Sequence, residues 1–238
     1  MQTIWIARHG NRQDYVDRNW RRTALKPFDP SLSADGAVQA QKLAGRLVGE
    51  KIRHIFASPA FRTLETANYT AEALNLPIKI EAGLSEWSNF IHIWYVRLDC
   101  LWGHFRQTSV DSKEENPRNS PGSILQLMPE TSAINLLLER FPRIDTSYTS
   151  SVVPKRMETW FELRERGQKT IRHLAENYPE DILIISHTSA IRPMVAGLVN
   201  NSPPINCPLC SLIKLVETDD KWIVELNGDT KHLTNHYY

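Results

Sequence analysis

The chain has 238 residues, 41% of them hydrophobic and 23% charged, with a mean hydropathy of −0.39. That composition excludes wholesale disorder, a collagen-like repeat and a bundle of membrane helices, and the length is enough to bury a core without disulfides. Lys and Arg number 28 against 27 Asp and Glu, a net charge of +1. No global field therefore selects nucleic acid or an acidic membrane, and an anion site must be built locally.

The elements read in chain order. Thr3 to Ala7 is short, apolar and β-branched and stops at Arg8-His9-Gly10, the pattern of a buried strand ending in a glycine turn. This N-terminus carries no basic stretch followed by a sustained apolar run, so no signal peptide is expected and the expected compartment is the cytoplasm. A polar loop spans Asn11 to Ser33. Ser33-Ala34-Asp35-Gly36 then opens an amphipathic helix to about Gly49. His54 to Ala57 reads as a strand, Ala60 to Leu74 as a helix and Ile78 to Ile80 as a third strand leading to Glu81-Ala82-Gly83-Leu84-Ser85-Glu86-Trp87.

Residues 88–151 differ in character, with prolines, Trp94, Trp102 and a polar run from Asp111 to Ser123. They read as a partly helical insertion or cap, with helices at Asn89–Phe105 and Ser132–Glu139 and a mobile loop near Lys113–Gly122. A long helix is expected from Lys155 to Tyr178, a strand from Ile182 to Ile185 ending at Ser186-His187, and a helix from Ala190 to Val199. Leu212 to Glu217 and Trp222 to Leu226 read as a hairpin. Alternating strands and helices imply an α/β fold: a three-layer α/β/α sandwich with a mainly parallel central sheet, as one domain over 1–238.

In such sheets ligands bind beyond the carboxyl ends of the strands. Two strands end there in histidine, His9 and His187. A neutral imidazole can attack phosphorus, Arg8 and Arg12 offer forked donors to phosphate oxygens, and a second imidazole can donate to an equatorial oxygen. Arg62 falls in a first helical turn, where its charge adds to the positive helix terminus. Glu86, flanked by Leu84 and Trp87, could protonate a leaving oxygen. Each has a duller alternative: buried, hydrogen-bonded histidines, solvated arginines and an exposed loop glutamate. Asp14 and Tyr148 are candidates to orient the site. Arg18, Arg21, Arg22 and Lys26 form either a steering patch or a solvated loop. Trp87, Trp94, Tyr95, Trp102 and Phe105 form either a pocket wall or the core of the insertion.

Three cysteines, Cys100, Cys207 and Cys210, make a poor disulfide framework. Cys207-Pro208-Leu209-Cys210 has metal or redox spacing but lacks the flanking ligands and the helix that either use needs, so reduced, structural cysteines are expected.

Taken together, Arg-His-Gly after the first strand, Ser58-Pro59-Ala60-Phe61-Arg62-Thr63-Leu64-Glu65-Thr66-Ala67 after the second and a late Ser186-His187 resemble the histidine phosphatase superfamily, which includes phosphoglycerate mutases and acid phosphatases. The resemblance implies His9 as the phosphorylated nucleophile, Arg8, Arg62 and His187 as the phosphate pocket, Glu86 as proton donor, and neither cofactor nor metal. Arg8 through Val16 with Trp20, Gly83 through Trp87, and Ile144 through Tyr148 are similar to the phosphatase domain of the TULA-type suppressors of T-cell-receptor signalling. That branch implies Arg12 as a further pocket arginine, and it acts on phosphotyrosine-like and steroid phosphates. Asn11 departs from the acidic residue usual there. The ubiquitin-binding and SH3 domains of the larger relatives are not seen in this sequence, and their scaffold role is not carried over.

The expected function is hydrolysis of small-molecule or peptide phosphomonoesters, with no nucleic-acid or membrane partner and with a homodimer among the open oligomeric states. One rival is mutase-type phosphoryl transfer. Against it, Tyr15 stands where mutases carry asparagine, and Trp87-Ser88-Asn89 replaces their arginine- and tyrosine-bearing segment. The other is a phospho-ligand-binding protein without turnover.

Overall fold

The first strand, β1 (Thr3–Arg8), shows how the layers arise. Its side chains alternate across the sheet. Trp5 and Ala7 join one buried apolar cluster, and Ile4 and Ile6 join another on the opposite face. The computed structural model describes residues 1–25, 27–87, 131–155, 157–219 and 221–234, with 131–134 as backbone.

The further strands are β2 (His54–Ala57), β3 (Ile78–Ile80), β4 (Ile182–Ser186), β5 (Leu212–Thr218) and β6 (Lys221–Asp229). They make one six-stranded sheet in the order β3-β2-β4-β1-β5-β6. The first four strands of that order run parallel; β5 and β6 are antiparallel to their neighbours.

Helices cover both faces. Against the Trp5 face lie α3 (Ala34–Leu47), α4 (Phe61–Leu74) and α5 (Thr131–Arg140), through Leu43, Leu47, Leu64, Ala67 and Leu137. On the Ile4 face lie α6 (Trp160–Asn177) and α7 (Thr188–Leu198), through Ile171, Leu174, Ile191 and Val195. This is the expected α/β architecture with a mainly parallel sheet.

Several boundaries differ from the sequence reading. The helix expected from Lys155 begins at Trp160, because Thr159 and Glu162 close a reciprocal capping box. The helix expected from Ala190 begins at Thr188, with His187 as its N-cap. The polar loop after β1 holds two single turns, α1 (Gln13–Val16) and α2 (Trp20–Thr23), too short for a hydrophobic period to reveal. The helix expected at Ser132–Glu139 is α5, whereas Asn89–Phe105 and Lys113–Gly122 lie outside the described residues.

The parallel strands end in step. Arg8 is level with Ser186, and Ala57 with both Ile185 and Ile80. Backbone bonds extend the ladder one residue further: His9 N–H to Ser186 O at 3.2 Å, Ser58 N–H to Ile185 O at 3.0 Å and Glu81 N–H to Ala57 O at 3.0 Å. His9, Ser58, Glu81 and His187 thus leave the same edge of the sheet, where α/β folds place their ligands. Among the described residues no helix is long and apolar enough to cross a membrane.

Candidate active site

His9 is 2% exposed. Its backbone is clamped on both sides, since its carbonyl also accepts from Cys210 N–H at 3.1 Å. Its ring Nδ1 lies 2.8 Å from Gly10 O. A carbonyl can only accept, so Nδ1 carries the proton and the lone pair is on Nε2. Gly10 has to be glycine: a Cβ there would stand 2.7 Å from Gly36 O. The Gly10 N–H donates to Thr66 Oγ1, which tethers the turn to α4.

Arg62, the second residue of α4, is fully buried. Its Nη2 donates to Glu86 Oε2 at 2.6 Å and lies 3.2 Å from His187 Nδ1. Its Nη1 is 3.5 Å from Asp29 Oδ1. Asp29 also accepts the Phe61 N–H at 3.0 Å, so one carboxylate both starts α4 and balances the guanidinium charge.

His187 is fully buried at the N-cap of α7. Because a guanidinium only donates, Nδ1 accepts from Arg62, and Nε2–H donates to Ser58 Oγ at 2.8 Å. The His9 and His187 rings stand 5.3 Å apart between centroids. Both pKa values lie well below the ordinary imidazole range, first through burial and second through the charge of Arg62. Both rings are therefore neutral at neutral pH.

Glu86 follows a single 3-10 turn, Ala82–Leu84. Its carboxyl is partly exposed beside Arg62 and 3.7 Å from His187 Nδ1. Arg8 donates from Nη1 to Cys207 O at 2.8 Å, and its buried Nε has no acceptor among the described residues. Burial depresses the Arg8 pKa. Arg12 is gripped by both oxygens of Asp14, at 2.9 and 2.6 Å, and lies over the Tyr15 ring. Burial works against the Arg12 charge, and the Asp14 hydrogen bonds and charge outweigh it, raising the pKa.

The structure thus gathers Arg62, His187 and Glu86 in direct contact, with the His9 ring against that of His187, Arg8 beside His9 in the chain and Arg12 held by its own loop. Cys207 and Cys210 are buried and free. Burial raises both thiols, Cys210 to about 12. Their backbones touch the site, through Arg8 and His9. Among the described residues no group of three His, Cys, Asp or Glu is placed to hold a metal. Tyr148 donates to buried Glu81 at 2.7 Å, one residue before the 3-10 turn that leads to Glu86. Trp87 donates its indole N–H to Glu158 O and packs edge-on against Trp160. Trp94, Tyr95, Trp102, Phe105 and Lys26 lie outside the described residues, and Arg18, Arg21 and Arg22 are exposed. The sequence reading missed Asp29 and Ser58 as partners of the site. The signal for Ser58 was its place at a strand end, one residue short of the level of His187; a lone Asp29 in a polar loop carried none.

Comparison with known proteins follows the same lines. The transcription factor tau 55 kDa subunit of Saccharomyces cerevisiae is 26% identical over 279 residues, covering 99% of this chain and 57% of that protein. The mouse (Mus musculus) ubiquitin-associated and SH3 domain-containing protein A is 32% identical, covering 98% of this chain and 40% of that protein. The chain spans less than two thirds of the length of either relative. The crystal structure of the ecdysone phosphate phosphatase from Bombix mori in complex with tungstate shares the fold, with a TM-score of 0.65 at 20% identity over 96% of this chain and 93% of that one. Residues 4–90 and 129–230 match the histidine phosphatase superfamily (branch 1), so the chain belongs to that superfamily.

Proposed function

We propose that the chain hydrolyses phosphomonoesters through a covalent phosphohistidine on His9. The observation that carries this reading is the buried, neutral His9 ring. Its Nδ1 proton is spent on Gly10 O, and its Nε2 lone pair is left for attack beside buried Arg62 and His187. A phosphate dianion takes over the donors of Arg62 from Glu86, with Arg8, Arg12 and His187 completing the hold on its equatorial oxygens. For His187 Nδ1 to donate, its proton moves from Nε2, and the Ser58 hydroxyl, able to donate or accept, turns to donate to Nε2.

Chemistry then takes two steps. The His9 Nε2–P bond forms as the ester P–O bond breaks, and protonated Glu86 gives its proton to the departing alkoxide. Water next attacks phosphorus, its proton passes to the Glu86 carboxylate, the N–P bond breaks, and phosphate leaves with His9 neutral again. In the same reading the chain is one domain over 1–238 with an insertion at 88–151, acting in the cytoplasm on small-molecule or peptide phosphates.

His9→Ala should abolish turnover of p-nitrophenyl phosphate without added metal, and the wild type quenched in alkali should retain a phosphohistidine that the variant lacks. Near-normal turnover by His9→Ala would refute the mechanism. A second reading is a phospho-ligand-binding protein without turnover. It draws on the likeness to a transcription factor subunit over 99% of the chain. Tight phosphate-ester binding by calorimetry, with no hydrolysis, would select it.

A further inference from the structure

Glu86 lies just past the 3-10 turn Ala82–Leu84, in a stretch with no helix or strand, yet the carbonyls that lead to it are all held. Arg166 of α6 is 5% exposed, and Glu158, just before that helix, is 1% exposed. Arg166 donates from Nε and Nη2 to the two oxygens of Glu158, at 2.6 and 2.8 Å. Its Nη1 donates to Gly83 O at 2.6 Å and Ser85 O at 2.9 Å, and Nη2 reaches Glu86 O at 3.5 Å. All five guanidinium N–H groups thereby have acceptors. Ser186 Oγ donates to Leu84 O at 2.8 Å, and Trp87 N–H donates to Ser189 Oγ at 3.1 Å. Every carbonyl from Gly83 to Glu86 therefore meets a side-chain donor, three of the four from one arginine.

We propose that Arg166, fixed by its two-point pairing with Glu158, is a positioning residue for the Glu86 carboxyl, holding the Gly83–Glu86 backbone so that the acid faces the leaving oxygen. The inference rests on the reading of Glu86 as proton donor. Arg166 touches neither phosphate nor leaving group in this scheme; it acts through the three carbonyls. A buried ion pair is a weak means of adding stability, because desolvation offsets the attraction, but it fixes orientation well. The planar fork matters. It meets a carboxylate on one edge and three carbonyls on the other, and an ammonium group cannot reproduce that geometry.

The test uses a series of aryl phosphates, from p-nitrophenyl to p-methoxyphenyl, with kcat read for the wild type, Glu86→Gln, Arg166→Lys, Glu158→Gln and the double variant Glu86→Gln/Arg166→Lys. General acid catalysis supports the poorest leaving groups most. Arg166→Lys and Glu158→Gln should each lower kcat on p-methoxyphenyl phosphate about 10-fold more than on p-nitrophenyl phosphate. Arg166→Lys should add no further leaving-group bias once Glu86 is glutamine. Equal losses across the series, or a bias that adds to that of Glu86→Gln, would overturn the inference. Should neither single variant fold, the pair is structural alone and the inference also falls. If Glu86→Gln itself shows no bias, the reading of Glu86 as acid fails, a result distinct from failure of Arg166 alone.

Discussion

Two glycines of α3 make a paired test of how the Gly10–Arg12 loop after β1 is seated. A Cβ on Gly36 would stand 2.1 Å from Asn11 O and 2.9 Å from Asn11 C and N. Ordinary contact begins at 3.4 Å, so the methyl is about 1.3 Å too close. The obstacle is backbone, and that backbone is itself tied: Ser33 N–H donates to Asn11 O at 2.9 Å, and Asn11 N–H donates to Gln39 Oε1 at 2.9 Å. Neither α3 nor the loop can yield alone. An overlap this deep against tied backbone belongs at the upper end of overpacking costs, about 3 kcal/mol, offset by about 1 kcal/mol of helix propensity. A net loss of about 2 kcal/mol corresponds to about 4–8 °C in Tm for a chain of this size. Because Asn11 lies between Gly10 and Arg12, kcat/KM on p-nitrophenyl phosphate should also fall, by about 10-fold or more. Gly45 sits in the same helix with nothing within 4 Å of a Cβ. Gly45→Ala should therefore stabilise by about 0.5–1 kcal/mol and leave kcat/KM unchanged. Thermal melts and steady-state kinetics of both variants decide the matter. A Gly36→Ala protein with wild-type Tm and kcat/KM would refute the close packing of α3 on the loop.

Two further predictions concern charge. His9 and His187 have folded pKa values depressed by burial and by Arg62. Above about pH 6.5 both are neutral, folded or unfolded; below it the unfolded chain binds protons that the folded chain refuses. Stability should then fall with pH, each histidine contributing about 1 kcal/mol between pH 6.5 and 5.5. Urea unfolding at the two values should show His187→Asn losing about 1 kcal/mol less than wild type over that interval, and identical losses would refute neutral burial. Asp14→Asn should free Arg12 and raise the inhibition constant of inorganic phosphate about 3- to 10-fold with little change in kcat. Tighter phosphate binding would show that the Asp14 charge repels the ligand more than it orders Arg12.

What was legible in the sequence follows from which interactions are local. His9 and His187 could be placed because each ends a short apolar run, and in a parallel sheet strand ends share an edge. Arg62 could be placed because a helix start fixes the direction of its first turn. Glu86 was a candidate from its apolar neighbours Leu84 and Trp87, with an exposed loop glutamate as the alternative, and only the resemblance chose between them, since an irregular stretch does not say where a carboxyl turns. Asp29 was illegible for the same reason. It is 33 residues from Arg62, and the polar loop around it has no period to align it with α4.

Arg166 was overlooked despite a signal in plain view. It lies in a run of charges, Glu162-Leu163-Arg164-Glu165-Arg166, that reads as a solvated helix face. Yet Leu163, Arg166, Gly167, Thr170, Ile171 and Leu174 are the buried positions of α6, and they follow the spacing of a single helical stripe. An arginine in the middle of a core-facing stripe has to meet a carboxylate and further acceptors inside the protein, because a lone buried charge is too costly to persist. Glycine beside it is explained by α7: a Cβ at Gly167 would stand 2.7 Å from Pro193 Cβ. That close approach seats α6 against α7, the helix capped by His187. The same helix therefore holds the Gly83–Glu86 backbone through Arg166 and packs against the helix capped by His187. Two groups more than 100 residues apart in the sequence are thereby registered by one rigid element of the Ile4 face, and their geometry is inherited from the core.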